Sequence, residues 1–297
     1  MSRVLGALLV LSAGVCWGTA GVLGKLTMEL GYSPLTVVAY RLSIGFVILL
    51  AVAYAWRGKR LLAVDRGSLS LLALAGVLGV GFGTLFYFYA VDLIGASLAV
   101  VLLYTAPIFT LITASPSLRE KISAVKVVSV VLVFVGCYLA VKGYDLSYVK
   151  VNYTGIIVGL LAGLFYSIYI VSSKKAMNRG ASTFTVMTFT VGFGALAIFV
   201  ADLATGFCPI VFTLYSTALI LALAVIPTAL ANLLFVLGLN LTEAGRANVY
   251  STVEAVTAVI LAFLVLGERL EPLQVLGCVA VIGSIAMLYS FEATQRA

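Results

Sequence analysis

Apolar residues run through this chain in ten long stretches, near residues 4–24, 34–56, 69–91, 95–115, 123–141, 154–173, 183–201, 213–239, 246–267 and 272–291, each bounded by charges, glycine or proline. About 20 such residues in an α-helix cross the hydrocarbon core of a bilayer. The apolar positions are continuous and do not alternate with period two, so the pattern predicts helices and not a β-barrel. The expected class is an all-α polytopic membrane protein with ten transmembrane helices. The first stretch is longer than a signal-peptide core, follows a single charge at Arg3, and has Val15 where a small residue would precede a cleaved Cys16. It is read as a retained helix.

Composition agrees with the pattern. The 297 residues are 63% apolar and 10% charged, with a mean hydropathy of +1.20, against roughly 25% charged residues in soluble domains. So few charges cannot cover a water-facing surface. There is no histidine, which excludes His triads and imidazole metal sites. Cys16, Cys137, Cys208 and Cys278 stand singly without CxxC spacing, and give neither a disulfide framework nor a zinc site. The net charge of +7 has no solvated basic domain to carry it, so no nucleic-acid partner is expected.

The charge sits instead in short loops. With the N-terminus inside, Arg3, Arg57, Lys59, Arg60, Arg66, Arg119, Lys121, Lys126, Lys174, Lys175, Arg179, Arg246 and Arg296 fall on the inner side. Lys25, Lys142, Lys150 and Arg269 fall outside, and Arg41 lies within a span. The positive-inside rule then places both termini in the cytoplasm of a cell (plasma) membrane protein.

The chain is also internally repeated. A shift of 149 residues aligns Gly14 with Gly163, Trp17 with Tyr166, Lys25 with Lys174, Thr36 with Thr185 and Gly45 with Gly194. A shift of 148 aligns Ala96 with Ala244 and Glu120 with Glu268. Two five-helix units are expected, residues 1–144 and 145–297. Because five is odd, the second unit enters from the opposite face, which gives inverted repeats and favours an alternating-access transporter with its binding site near midplane.

Cys16-Trp17-Gly18-Thr19, Arg41, the run from Tyr89-Ala90 through Gly95-Ala96-Ser97 to Pro107, and Leu266-Gly267-Glu268-Arg269 resemble the drug/metabolite transporter superfamily, EamA-type branch, over essentially the whole chain. The resemblance implies a secondary transporter that moves small metabolites, often amino acids, outward. Two positions depart from the family pattern: Leu118-Arg119-Glu120 stands where Leu-Gly-Glu is usual, and Glu254-Ala255 where a proline is usual. The second departure leaves no sequence basis for a kink in helix nine to match the one expected in helix four at Pro107 and Pro116.

Glu254 is the first candidate for transport chemistry, about eight residues or roughly 12 Å into its span. A carboxylate at that depth needs water, a partner or a proton. It is read as a cation or proton site, with a packing carboxyl as the alternative. Tyr250 and Ser251, at i−4 and i−3, would extend its polar stripe. Arg41 lies about seven residues, roughly 10 Å, from the outer surface. Either it pairs with a substrate carboxylate, holding a zwitterionic amino acid together with Glu254, or it snorkels outward. Asn232 is a further substrate-binding candidate, while Asn248 is read as interhelical glue.

Trp17, Tyr87, Tyr89, Tyr104, Tyr166 and Tyr169 complete the expected substrate-binding set, with Phe86 and Phe165 beside them, and Trp17 and Tyr166 form a repeat-related pair. Lys25 with Glu268 outside, and Lys174 with Glu120 inside, are candidate gating latches; helix-terminus electrostatics is the alternative explanation. Three small-xxx-small pairs, Gly14/Gly18, Gly79/Gly83 and Gly159/Gly163, signal close helix packing. Asn152-Tyr153-Thr154 is a glycosylation sequon of low weight beside the membrane.

The expected function is secondary active export of amino acids or related small metabolites by alternating access. The alternatives are a proton-coupled exporter of lipophilic cations or drugs and, further off, a passive channel. No enzyme activity, catalytic residue, metal or cofactor is expected; the partners are a small-molecule substrate, membrane lipid and a coupling proton.

Overall fold

The structure, a computed structural model, describes residues 2–144, 152–206, 213–266 and 270–294. Among the described residues all regular structure is helical. We number ten passes: α1 (Ser2–Met28), α2 (Pro34–Arg57), α3 (Arg66–Ile94), α4 in two halves (Ala96–Leu103 and Ala106–Leu118), α5 (Ala124–Ala140), α6 (Tyr153–Asn178), α7 (Thr183–Ala204), α8 (Leu214–Leu241), α9 in two halves (Ala244–Ser251 and Val253–Leu266) and α10 (Pro272–Thr294). Among the described residues nine passes are long and apolar enough to span a membrane, and α5 is a shorter apolar helix.

Helix starts are written locally, and twice. Ser33 caps α2 by accepting from Thr36 N, and Ser182 caps α7 by accepting from Thr185 N. Asp65 caps α3 through Ser68 N, and Thr213 caps α8 through Ser216 N. Each is a short polar side chain meeting an otherwise unbonded N–H of the first turn. Hydrogen bonding to Ser68 holds the exposed Asp65 carboxyl below its ordinary range. Asn152, the sequon residue, caps α6 through Gly155 N.

Repeat-related helices pair across the molecule, α2 with α7 and α5 with α10. The first helix of each repeat packs on the third and fourth of the other: α1 on α8 and α9, α6 on α3 and α4. The packing depends on glycine where helices approach. A Cβ on Gly14 would fall 2.7 Å from Ser251 O, and one on Gly163 would fall 3.0 Å from Leu102 O. These repeat-related glycines of α1 and α6 therefore each seat the break in the other repeat's fourth helix.

Two features lie outside the expectation of regular helices. First, α3 is π-helical over Ala75–Phe82 and α8 over Val225–Leu230, at overlapping repeat positions. Gly194 of α7 and Gly45 of α2 lie against these wide turns: a Cβ on Gly194 would meet Gly76 O at 2.9 Å, and one on Gly45 would meet Thr228 Cβ at 3.1 Å. Second, both fourth helices break at midspan, at Tyr104–Thr105 and at Thr252. The α9 break occurs without a proline. The Thr252 hydroxyl donates to Val249 O at 2.6 Å and its N–H to the same carbonyl at 3.2 Å, so the chain tightens there and restarts at Val253. Pro107 begins the second half of α4, while Pro116 stands inside its last turn.

Candidate functional site

The break in α9 carries Glu254 into the first turn of a new half-helix. There its carboxylate lines a midspan cavity of about 100 Å³ with Trp17, Arg41, Tyr87, Phe88 and Tyr166, above a floor that includes Gly79, Gly83 and Ala162. Both repeats contribute. Five of the expected substrate-binding residues meet here: Trp17, Arg41, Tyr87, Tyr166 and Glu254. Glu254 makes no hydrogen bond among the described residues, and it lies within electrostatic reach of Arg41.

Arg41 is buried, 5% exposed, so it does not snorkel. Its Nε donates to Thr228 Oγ1 at 3.0 Å, Nη2 lies 3.4 Å from Pro227 O, and the guanidinium stacks 5.6 Å from the Phe88 ring centre. The π turn of α8 supplies both oxygens. Trp17 packs edge-on against Tyr166, with ring centroids 5.8 Å apart, and both contact Phe235. The wall is thus aromatic, with one fixed cation and one carboxylate free of hydrogen bonds. The cavity is smaller than the roughly 300 Å³ at which ligand pockets begin, so its walls are drawn together.

The other expected residues lie elsewhere. Tyr169 donates to Asn232 Oδ1 at 3.0 Å, and Asn232 donates on to Thr228 O at 2.7 Å. This pair locks α6 to α8. Tyr104 and Tyr250 are buried in packing and Tyr89 is half-buried, and none of the three lines the cavity. Tyr250 and Ser251 do not continue a stripe from Glu254, because the break at Thr252 interrupts the helical register that the i−4 and i−3 spacing assumed. Ser251 instead accepts from Tyr166 Oη at 3.2 Å. Asn248 donates to Thr110 Oγ1 at 2.6 Å, joining α9 to α4.

On the side that carries both chain ends, Glu120 reaches across from the first repeat. Its two oxygens accept from Ala244 N at 2.6 Å and Gly245 N at 3.1 Å, the first amides of α9. Lys126, 4% exposed, pairs with Glu243 at 2.7 Å and stands 3.9 Å from Glu120, and Arg246 meets Glu243 at 3.1 Å. Lys174 does not pair with Glu120. It donates to Leu239 O and Asn240 O at the end of α8, at 2.7 and 3.2 Å. These groups line a polar vestibule of about 680 Å³. Lys25 is exposed at the opposite side, and Glu268, its expected partner, lies outside the described residues, as does Cys208.

Sequence reasoning missed Phe88, Thr84 and Thr228. Phe88 and Thr84 follow Gly79-x-x-x-Gly83 on the same helix, a pair that marked the close approach of α3 and α6 but not the wall above it. A buried threonine next to Pro227 in an apolar span was the available sign of Thr228.

Among the described residues, ten helical passes with paired midspan breaks around an aromatic-walled cavity shared by the two repeats define a multi-pass membrane protein. The profile of the EamA-like transporter family matches residues 4–142 and 153–290, and the chain belongs to that family. A Clostridium kluyveri protein named "uncharacterized transporter" is 29% identical, over 98% of this chain and 94% of its own. An Archaeoglobus fulgidus protein with the same name is 27% identical over 95% of each chain. The "uncharacterized inner membrane transporter YicL" of Salmonella typhimurium is 24% identical over 98% and 97%. A crystal structure of another protein, 18% identical, superposes with a TM-score of 0.81 over 99% of this chain and 100% of that one, and so shares the fold.

Proposed function

We propose that the chain exports amino acids or related small zwitterions from the cytoplasm across the plasma membrane by alternating access. The observation that carries this is the meeting of Arg41, from one repeat, and Glu254, from the other, in a single aromatic-walled cavity. Arg41 is held by its Nε and one Nη, which leaves guanidinium hydrogens to receive a carboxylate. Glu254 receives the ammonium, and Trp17 and Tyr166 enclose the side chain. On this reading the contracted cavity and the Glu120 clasp, in the vestibule, belong to a state closed toward the cytoplasm. Opening requires Glu120 to release α9 and the two halves of α4 and α9 to swing about their breaks. A coupling proton on Glu254 accounts for transport against a gradient.

A second reading, export of an organic cation, is favoured by Glu254, which has no hydrogen bond among the described residues, standing beside four aromatic rings. Counterflow in proteoliposomes separates the two. Vesicles preloaded with mixed amino acids should accumulate labelled amino acid saturably, with Glu254→Gln and Arg41→Gln each losing most of the exchange. Exchange of a lipophilic cation that needs Glu254 and survives Arg41→Gln would replace the amino-acid assignment. Non-saturating flux without trans-stimulation would replace the carrier with a channel.

A further inference from the structure

Away from the central cavity, α2 and α7 leave an apolar groove of about 340 Å³, walled by Phe46, Leu50, Leu61, Phe189, Phe193 and Leu196. Leu50 and Leu196 are exposed, at 37% and 61%, so the groove opens toward the hydrocarbon. It persists partly because Gly192 has no side chain; a Cβ there would fall 2.7 Å from the Phe46 ring. Along α2, Phe46 lies eleven residues from Arg57, or about 16 Å, close to half of a hydrocarbon core about 30 Å thick. The groove therefore has the depth of one leaflet, the one on the side of the chain ends.

At its mouth the chain turns through Gly58–Leu62, and Thr185 Oγ1 pins that turn to α7 by donating to Leu61 O at 3.1 Å. Arg57, Lys59 and Arg60 are exposed on this turn and at its start. Arg57 lies 5.9 Å over the Phe184 ring, and Trp56, 77% exposed, stacks on the same ring at 6.2 Å. An exposed tryptophan beside arginine is the arrangement of a headgroup-level anchor. The next acid along the chain, Asp65, is turned to its own helix cap.

We propose that this groove and its three cations form a site for one anionic glycerophospholipid, with an acyl chain along α2 and α7 and the phosphate at Arg57, Lys59 and Arg60. Charge complementarity selects this occupant. A second copy docking through the same face by a two-fold axis would set the two cationic turns against each other. A zwitterionic lipid would bring its own ammonium to the three cations.

The test uses the purified full chain, delipidated and then offered equal amounts of phosphatidylglycerol and phosphatidylcholine, with retained lipid read by native mass spectrometry. Wild type should retain phosphatidylglycerol in preference. Arg57→Gln/Arg60→Gln should lose that preference, by roughly fivefold per cation removed. Leu50→Trp, which fills the groove at its lipid face, should reduce retention of both lipids. Arg119→Gln, which removes a cation from the vestibule on the same membrane side, should change neither. Circular dichroism confirms that each variant is folded. Equal retention of the two lipids, or an effect of Arg119→Gln as large as that of the double variant, would overturn the site in favour of general attraction to a positive face. A dimeric mass with the groove emptied of lipid would assign the face to a second copy.

Discussion

Arg41 donates its Nε proton to Thr228 Oγ1 at 3.0 Å, across the boundary between the two repeats. Thr228 in turn donates to Leu223 O at 2.8 Å, five residues back, in the wide turn of α8. A buried guanidinium is thus positioned by a local defect in the facing helix. Arg41→Lys keeps the charge, but one ammonium cannot span Thr228 and Pro227 or stack on Phe88 as the planar group does. We expect at least a tenfold loss of counterflow, with a fall in melting temperature no larger than that of Thr228→Val. Thr228→Val leaves the Nε–H unbonded and should destabilise the protein by about 1–3 kcal/mol, as read by thermal unfolding in detergent. Wild-type exchange in Arg41→Lys would remove the guanidinium from the binding site.

Glu120 caps α9 on the end-bearing side. Charge-assisted bonds of this kind contribute about 1.5–3 kcal/mol. Glu120→Gln should therefore speed hydrogen exchange at the amides of Ala244 and Gly245 by roughly tenfold to a hundredfold, leaving α2 and α7 unchanged. Uniform acceleration across the protein would mean that the carboxylate supports global stability and not a local closure.

Arg119 ends α4 with φ 58° and ψ 33°, a left-handed conformation that costs an L-residue about 1–2 kcal/mol. Here the departure from Leu-Gly-Glu has a measurable price. Arg119→Gly should raise stability by about 0.5–1 kcal/mol after the added freedom of the unfolded chain is subtracted. Denaturant or thermal titration of the two forms checks the sign.

Gly163 and Gly283 offer a matched contrast. A methyl at Gly163 would lie 2.6 Å from Thr105 Oγ1 and 3.0 Å from two carbonyls at the α4 break, whereas one at Gly283 meets nothing within 4 Å. Gly163→Ala should cost about 1–3 kcal/mol through overpacking. Gly283→Ala, in mid-helix, should gain roughly 0.5–1 kcal/mol. Equal effects would show that α6 and α4 have room to separate.

The spans were legible because twenty apolar residues in a row admit few conformations in lipid, and the repeat because both copies kept their small and capping residues in register. Arg41, Glu254 and the Trp17–Tyr166 pair were also legible, since an ion or a paired aromatic in such a span is conspicuous. Helix breaks were half legible. Pro107 announced one, but the other is made by Thr252 turning its hydroxyl onto Val249 O, a choice that any threonine in a regular helix could also have made. That single break explains why Tyr250 was placed with Glu254 and is not there. Pro227 marked the α8 π turn but not its geometry, so Thr228 was not matched to Arg41. Glu120 and Lys174 were placed on one side by the charge rule, yet backbone amides and carbonyls, invisible to a search for opposite charges, took each as a partner.

The duplication relates Arg41 to Thr190 and Glu254 to Ala106, so neither charge of the cavity has a charged twin. A nearly symmetric scaffold therefore holds a polar axis. On the proposed mode of transport, a zwitterion between Arg41 and Glu254 keeps one orientation through the cycle, and exchanging the roles of the two repeats does not return the same charge arrangement. Two side chains thus make the two sides of the membrane inequivalent on an otherwise near-symmetric scaffold, and a charge added at Thr190 or Ala106 would move the cavity toward symmetry.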